Sequence, residues 1–193
     1  MQWVTGGAPK RRFETFAADA ADTLFRTGCL MTGDPAEAED LVQETFIQVA
    51  RRWHRVAAMD HPVAYARRIL VNLVLDGAKR RSRHRAELEP QGSQPDLADQ
   101  SATRALQQVD DLAEFSWALA RLPPRERAVL VLRYWADLPV AEVAATLGCS
   151  AGTVKSTASR GTARLAQILT HNQPPNGQPA ARQPAEKACH DHR

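Results

Sequence analysis

The chain is short of cysteine and of long apolar runs, and each shortage argues against a class of protein. Cys29, Cys149 and Cys189 are odd in number and far apart, which argues against a disulfide framework and against a zinc ribbon. No stretch approaches the length of a membrane span, and residues 1–14 lack the apolar core of a signal peptide. We therefore expect a soluble protein of the reducing cytoplasm that holds no metal or other cofactor.

A large excess of one charge is also missing, but the charges that are present are unevenly distributed. The 193 residues contain 25 Lys and Arg against 22 Asp and Glu, so net charge alone says little about nucleic acid. Residues 79–85 include five Lys or Arg, whereas residues 87–114 include seven Asp or Glu and a single Arg. This segregation indicates that different segments meet different partners.

The most informative stretch, residues 140–159, has the spacing of a helix-turn-helix. Ala144 is small where two helices must meet, Gly148 follows where the chain must turn, and Val154 returns to the core. Ser150 supplies a hydroxyl that can cap the second helix. The spacing favours DNA binding over the alternative, an ordinary helical hairpin whose charged face is only solvated.

The second helix of this motif has two distinct faces. One face is apolar or small and recurs at helical spacing: Val154, Ala158, Gly161, Leu165 and Ile168. The opposite face is small, polar and basic: Gly152, Lys155, Ser156, Ser159 and Arg160. Short polar side chains allow close approach to a major groove, and basic ones contact phosphates, so we predict that this face reads DNA.

Three amphipathic helices are predicted in the first half of the chain. The first covers residues 12–30, and the second covers residues 35–53 after a capping box formed by Asp34 and Glu37. The third opens at Pro62 and continues to the basic run. Their apolar stripes predict a helical core.

An acidic, amide-bearing patch with an isoleucine inside it lies on the second helix: Asp40, Gln43, Glu44, Ile47 and Arg51. The patch suits a protein contact, although from the residues alone a solvated face is the simpler interpretation. No histidine lies one turn from Asp40 or Glu44, so a metal-assisted hydrolytic site is not indicated. We therefore predict that the chain is not an enzyme.

The third helix carries a polar row opposite its buried side: Tyr65, Arg68, Asn72, Asp76 and Lys79. At the 100° step of an α-helix this row falls within an arc of roughly 80°. An aromatic ring, a guanidinium and an amide in one row can stack on unpaired bases and bond to their edges. The row therefore predicts a platform for single-stranded nucleic acid.

After Arg85 the composition changes to Pro, Gly, Ser, Gln and acidic residues without an apolar period. We predict an all-α protein of two small helical domains, joined by a flexible acidic linker, with the helix-turn-helix in the second. The predicted segments are a flexible leader (1–11), a first domain (12–85), the linker (86–108), a second domain (109–171) and a disordered tail (172–193).

Three segments, residues 38–53, 61–81 and 122–165, together resemble the extracytoplasmic-function (group IV) sigma factors of bacterial RNA polymerase, of the SigE-like actinobacterial type. The resemblance covers about residues 12–171. It implies a subunit that supplies promoter specificity and strand opening but no bond-making chemistry. It implies core RNA polymerase and promoter DNA as partners and, as in many relatives, an anti-sigma protein.

The resemblance also implies three sets of contact residues. Core polymerase would be bound through Asp40, Leu41, Gln43, Glu44 and Phe46. The melted minus-10 strand would be read by Tyr65, Arg68, Asn72 and Lys79, with an extruded base held near Asn72. The minus-35 duplex would be read by Gly152, Thr153, Lys155, Ser156, Ser159 and Arg160. Thr157 stands where many members carry a basic or longer polar residue, so one phosphate contact is expected to be absent.

Two other functions compete with this interpretation. A stand-alone helix-turn-helix repressor would bind a palindromic operator as a dimer, with half-sites about one helical turn apart, but no coiled-coil heptads or evident ligand pocket support it. A nucleic-acid-processing enzyme would need a convergent acid, base or metal set, and the sequence shows none.

Overall fold

The structure, a computed structural model, describes residues 7–88 and 110–172, and every regular element within these ranges is helical. The elements are α1 (Gly7–Thr32), α2 (Pro35–Arg51), α3 (Trp53–Val56), α4 (Pro62–Leu88), α5 (Asp110–Ala120), α6 (Pro124–Leu130), a π-helical segment (Val131–Trp135), α7 (Val140–Leu147) and α8 (Ala151–Asn172). The predicted all-α class is confirmed. Residues 89–108 of the predicted linker and 173–193 of the predicted tail lie outside the described residues.

Helix α1 begins earlier than the apolar pattern indicates. Residues 7–11 belong to the predicted leader but are helical, because Ala8 and the basic residues that follow favour helix, and a proline in the first turn breaks no intrahelical hydrogen bond. The helix ends where predicted. Gly33 adopts a left-handed φ of 78°, and its N–H donates to the Cys29 carbonyl at 2.8 Å.

The start of α2 is capped as predicted, but only half of the capping box forms. Asp34 Oδ1 accepts a hydrogen bond from the Ala36 N–H at 2.9 Å. The Glu37 carboxylate pairs with Arg81 of α4, and the Asp34 N–H donates to Thr32 Oγ1 at 3.1 Å instead. Glu37 therefore ties α2 to α4 rather than closing the start of its own helix.

The buried side of α2 consists of Ala38, Val42, Thr45 and Val49. It meets α1 closely, because a Cβ at Gly28 would lie only 3.1 Å from the Ala38 Cβ. The helix ends at Arg51, before the predicted end at Trp53, and α3 follows. At this break between α2 and α3 the Trp53 ring packs against the Phe16 ring, with the ring centroids 5.2 Å apart.

Helix α4 packs against α1 and α2 through a continuous apolar stripe. Ala66, Leu70, Val71 and Val74 are all buried. Beyond Gly77 the helix continues through the basic run to Leu88, so residues 86–88 of the predicted linker are helical. Residues 79–87 are all exposed, because this last part of α4 extends past the core.

In the second half of the chain, α6 passes directly into the π-helical segment at Val131. The Ala136 N–H donates to the Val131 carbonyl at 2.9 Å, a reach of five residues rather than four. Arg133 caps the end of the segment by donating to the Leu138 carbonyl. The wider turn leaves the rings of Tyr134 and Trp135 exposed.

The helix-turn-helix has the geometry that its spacing predicts. Gly148 ends α7 in a left-handed conformation with φ 61°, and Ser150 Oγ accepts a hydrogen bond from the Thr153 N–H at 3.1 Å. Val154 is buried, and a Cβ at Gly161 would lie 3.3 Å from Leu130 Cγ. Helix α8 is therefore held closely against α6 and α7.

The two halves of the described chain also pack against each other. Helices α1 and α4 contact α5, α6 and α7, and buried apolar residues from both halves form one cluster that includes Leu24, Leu70, Leu132 and Val143. None of the described helices is long and apolar enough to cross a membrane.

Two neighbouring glycines should respond in opposite ways to alanine. We expect Gly148→Ala to lower the free energy of unfolding by about 1 kcal/mol, since a side chain is strained at positive φ. Gly152 is in the first turn of α8, and a Cβ there would meet only Ser150 Oγ at 3.7 Å, so Gly152→Ala should leave that free energy unchanged or raise it. Urea denaturation followed by circular dichroism measures both. Equal effects of the two substitutions would contradict the role given to Gly148.

Candidate nucleic-acid and polymerase-binding surfaces

The outer face of α8 is fully available to a ligand. All six residues predicted to read the minus-35 duplex are exposed: Gly152, Thr153, Lys155, Ser156, Ser159 and Arg160. The inner face is occupied by packing, since Val154 and Ala158 are buried. We name the six exposed residues the α8 surface.

Thr157 does not belong to the α8 surface. It is 7% exposed, and its Oγ1 accepts a hydrogen bond from Arg160 Nη2 at 3.4 Å. The buried Thr157 side chain is not available to a phosphate, and the absent contact at this position stays a prediction. Thr157 instead orients the Arg160 guanidinium.

The first turn of α8 is ordered by a hydroxyl network. Ser150 Oγ lies 2.9 Å from Thr153 Oγ1, and Ser156 Oγ donates to the Thr153 carbonyl at 3.1 Å. The positive end of the helix dipole and the nearby Lys155 ammonium both favour an anion at this end. The arrangement can therefore bind backbone phosphates and present short polar groups to base edges.

Three of the four residues predicted for the minus-10 strand form an exposed row on α4. Arg68, Asn72 and Lys79 are exposed, and Lys79 Nζ pairs with Asp76 at 3.2 Å. Tyr65 is half-buried, and its hydroxyl accepts a hydrogen bond from Arg52 Nη1 at 3.2 Å. We name Tyr65, Arg68, Asn72 and Lys79 the α4 surface.

Arg52 is the functional candidate that sequence reasoning missed. It lies 13 positions before Tyr65 and at the break between α2 and α3, so no helical spacing links the two residues. Only the fold brings the guanidinium to the ring. By holding the hydroxyl, Arg52 orients the tyrosine face that could stack on a base.

The predicted polymerase contacts on α2 divide into two groups. Asp40 and Gln43 are exposed, and Glu44 is half-buried. These three residues lie on the same side of α2 as Ile47, which is 46% exposed. Leu41 and Phe46, in contrast, are half-buried residues packed against the core. The structure therefore brings Asp40, Gln43, Glu44 and Ile47 together, and we name these four the α2 surface.

Phe46 has a role of its own in the fold. Its ring meets the rings of Phe13 and Phe16 edge to face, with centroid distances of 6.5 and 6.4 Å. Such contacts stabilise the seam between α1 and α2. Phe46 packs on the inner side of α2, beneath the exposed α2 surface. Its position in the sequence did not predict this packing role.

Two observations bear on metal binding and on thiol reactivity in the described residues. No group of three or more His, Cys, Asp or Glu among them could hold a metal ion. Burial raises the pKa of the Cys29 thiol to about 11, so this cysteine stays protonated at neutral pH and is a poor nucleophile.

Comparison with known proteins gives the family. Residues 16–84 match the family model described as Sigma-70 region 2, and residues 113–165 match that described as Sigma-70, region 4. The chain is 36% identical to an RNA polymerase sigma-E factor of Streptomyces avermitilis, over 81% of this chain and 84% of that one. It is 32% identical to the ECF RNA polymerase sigma factor SigL of Mycobacterium tuberculosis, over 70% of this chain and 76% of that one.

Solved structures agree on the fold. The sigma factor RpoE, from its complex with the anti-sigma factor NepR of Bartonella quintana, superposes with a TM-score of 0.65 at 23% identity, over 84% of this chain and 99% of that one. The extracytoplasmic function sigma factor SigJ of Mycobacterium tuberculosis superposes with a TM-score of 0.54 at 25% identity, over 79% of this chain and 52% of that one. With both family regions present in order, this chain belongs to the extracytoplasmic-function sigma factors of RNA polymerase, of the SigE type.

Proposed function

We propose that this sigma factor binds bacterial core RNA polymerase through the α2 surface, reads the minus-35 duplex with the α8 surface and holds the melted minus-10 strand on the α4 surface. The observation that carries the proposal is the exposure of all six α8 residues on one capped helix. The match to both sigma regions supports it. Its place of action is the cytoplasm, where the polymerase works.

The chemistry of each surface fits a different ligand. The α8 surface combines one lysine and one arginine with small polar groups, as duplex reading requires. The α4 surface offers an aromatic ring and an amide for unpaired bases. The α2 surface presents two carboxylates, an amide and an apolar side chain, which suits a protein partner. In this proposal the chain contributes recognition and the polymerase contributes the chemistry.

Strand opening follows from differential binding. If the α4 surface contacts unpaired bases, it binds the melted strand more tightly than the duplex and shifts the promoter toward the open form. Extrusion of a base costs a few kcal/mol of stacking and pairing, which contacts near Asn72 would offset. No nucleotide hydrolysis by this chain is needed.

An anti-sigma protein is a further partner of this proposal. The RpoE structure with the same fold was determined as a complex with NepR. Any such partner must cover at least one of the three surfaces to block transcription. The exposed carboxylates and isoleucine of the α2 surface offer it a contact.

The α8 surface can be tested with Lys155→Ala. We expect weaker run-off transcription. We also expect the slope of promoter affinity against salt concentration, measured for the holoenzyme on log scales, to fall by about the amount of one phosphate contact, since one cation is lost. Arg26→Ala is the matched control, because Arg26 is an exposed cation on α1 that pairs with the surface Asp22. If Lys155→Ala keeps the full salt slope, Lys155 does not contact DNA.

The α4 surface can be tested with Asn72→Ala on two templates. On duplex promoter DNA we expect run-off transcription to fall by about tenfold or more, because contacts that compensate for base extrusion are lost. On a template with the minus-10 segment already unpaired, the loss should be much smaller. A variant equally defective on both templates would instead place Asn72 outside strand opening.

The α2 surface can be tested with Ile47→Arg, which puts a charge in the middle of the patch. We expect binding to core polymerase to weaken by about 2 kcal/mol or more, as for a central interface residue. Asp22→Arg on α1 is the control, since Asp22 is exposed on another helix. Fluorescence anisotropy of the labelled chain with core enzyme measures both, and unchanged affinity for Ile47→Arg would remove α2 from the interface.

A further inference from the structure

Two exposed arginines at the break between α2 and α3 lie outside the three binding surfaces. Arg52 is the residue at which α2 loses its helical conformation, with φ −120° and ψ 15°, and Arg55 lies in α3. Both side chains are exposed. The Arg55 N–H donates to the Arg52 carbonyl at 2.9 Å, so the two residues lie one tight turn apart. We name this pair the α3 edge.

The core side of the same short segment fixes the direction of these two side chains. The Trp53 ring packs on the Phe16 ring, with the ring centroids 5.2 Å apart, and Val56 is fully buried. Trp53 and Val56 therefore anchor one edge of the turn in the core. Arg52 and Arg55 each come directly before one of these anchors, and both lie on the outer edge.

The break also turns Arg52 toward the α4 surface. Arg52 Nη1 donates to the Tyr65 hydroxyl at 3.2 Å. Arg51, in contrast, is still helical and follows Ile47 by one helical turn, so it lies on the side of α2 that carries the α2 surface. The two consecutive arginines thus belong to different surfaces. Of the two, Arg52 is the one that contacts the ring proposed to stack on a base.

The α3 edge has the chemistry of a phosphate site. A guanidinium presents five N–H donors in a planar fork that matches phosphate oxygens, and the Tyr65 hydroxyl takes only one donor of Arg52. Among the described residues, no carboxylate lies within ion-pair distance of either guanidinium. Two exposed cations without an acidic partner attract an anionic chain such as a phosphodiester backbone.

The position of the α3 edge favours nucleic acid over an acidic protein partner. A strand whose base stacks on the Tyr65 ring must carry its phosphates past the edge of that ring. The Arg52 guanidinium lies at this edge, since it holds the hydroxyl. Arg55 extends the positive charge by one turn. The fold therefore places cations where the backbone of a stacked strand would pass.

We propose that the α3 edge binds phosphates of the unpaired minus-10 strand, and that Arg52 is also a positioning residue that holds the Tyr65 ring ready for a base. The inference rests on the proposed function, because it adds residues to the site of the same strand. A ring that is already held loses less conformational entropy when a base stacks on it. Strand capture would then combine a stacked base with phosphate contacts that do not depend on sequence.

The phosphate contact is tested with Arg55→Ala in the holoenzyme, on a promoter fragment whose minus-10 segment is an unpaired strand. We name this probe the forked fragment. We expect the slope of affinity against salt concentration, on log scales, to fall by about 0.7, the amount of one single-strand phosphate. Arg26→Ala is the matched control, since Arg26 is an exposed arginine on α1. An unchanged slope for Arg55→Ala would overturn the phosphate contact.

The positioning role is tested with Tyr65→Phe, which keeps the ring and both cations but loses the hydrogen bond. We expect affinity for the forked fragment to fall by about threefold with the salt slope unchanged. Arg52→Ala should show this loss and also lower the slope by about 0.7. In the Tyr65→Phe background, Arg52→Ala should still lower the slope but cost less affinity than it does alone, because the hydrogen bond is already absent.

Two outcomes would contradict the positioning role. Additive effects of Tyr65→Phe and Arg52→Ala on affinity would show that Arg52 does not act through the tyrosine. A lower melting temperature for Tyr65→Phe, measured by circular dichroism, together with unchanged affinity for the forked fragment would show that the hydrogen bond only stabilises the fold.

Binding to core polymerase without DNA separates the strand from a protein partner. We expect fluorescence anisotropy of the labelled chain to give the same affinity for core enzyme with Arg52→Ala, with Arg55→Ala and with the parent. A loss of core affinity as large as the loss of affinity for the forked fragment would show that these cations contact polymerase, and it would overturn the proposal.

Failure of this inference is distinguishable from failure of the proposed function. If the parent holoenzyme binds the forked fragment no more tightly than the fully paired one, the α4 surface does not hold a melted strand, and the inference falls with the proposed function. If the parent prefers the forked fragment, and Arg52→Ala and Arg55→Ala both keep its salt slope, the proposed function stands and the α3 edge is not a phosphate site.

Discussion

Each long helix must bury one stripe of its surface, and the three binding surfaces follow from that constraint. On α8, burial of Val154 and Ala158 turns Lys155 and Ser159 outward. On α4, burial of Leu70 in the same way turns Asn72 outward. A helix is rigid over this length, so the packing that stabilises the fold also fixes the orientation of the exposed side chains that we propose to contact DNA. Recognition therefore requires no separate scaffold.

The two halves are joined by a shared apolar cluster and by one buried cation. Within a half, helices meet through close apolar seams such as Gly28 against Ala38 and Gly161 against Leu130, which separate only when the domain unfolds. Between the halves, Arg127 adds a desolvated charge held by backbone carbonyls. Apolar burial and charged hydrogen bonds therefore act together where the halves meet.

Membership in the sigma-factor family assigns functions to regions, and the side-chain geometry then selects residues. Phe46 matches the family motif, yet its ring belongs to the aromatic cluster with Phe13 and Phe16, whereas Ile47 beside it is exposed. Likewise Thr157 lies within the recognition helix but faces the core. A motif gives the order of residues, but the angular position of each residue around the helix axis shows which of them a partner can touch.

The helical class, the turn at Gly148, the caps at Asp34 and Ser150, and the exposed face of α8 could all be predicted from the sequence, because they depend on local conformation and on the 3.6-residue period. Tertiary structure alone decided that Glu37 pairs with Arg81, that Arg52 holds Tyr65, and that Arg127 bridges the two halves. Each of these contacts joins residues on different helices, and no spacing rule connects them. Where a long polar side chain finds its partner depends on which helices are adjacent, and that is known only once the core has formed.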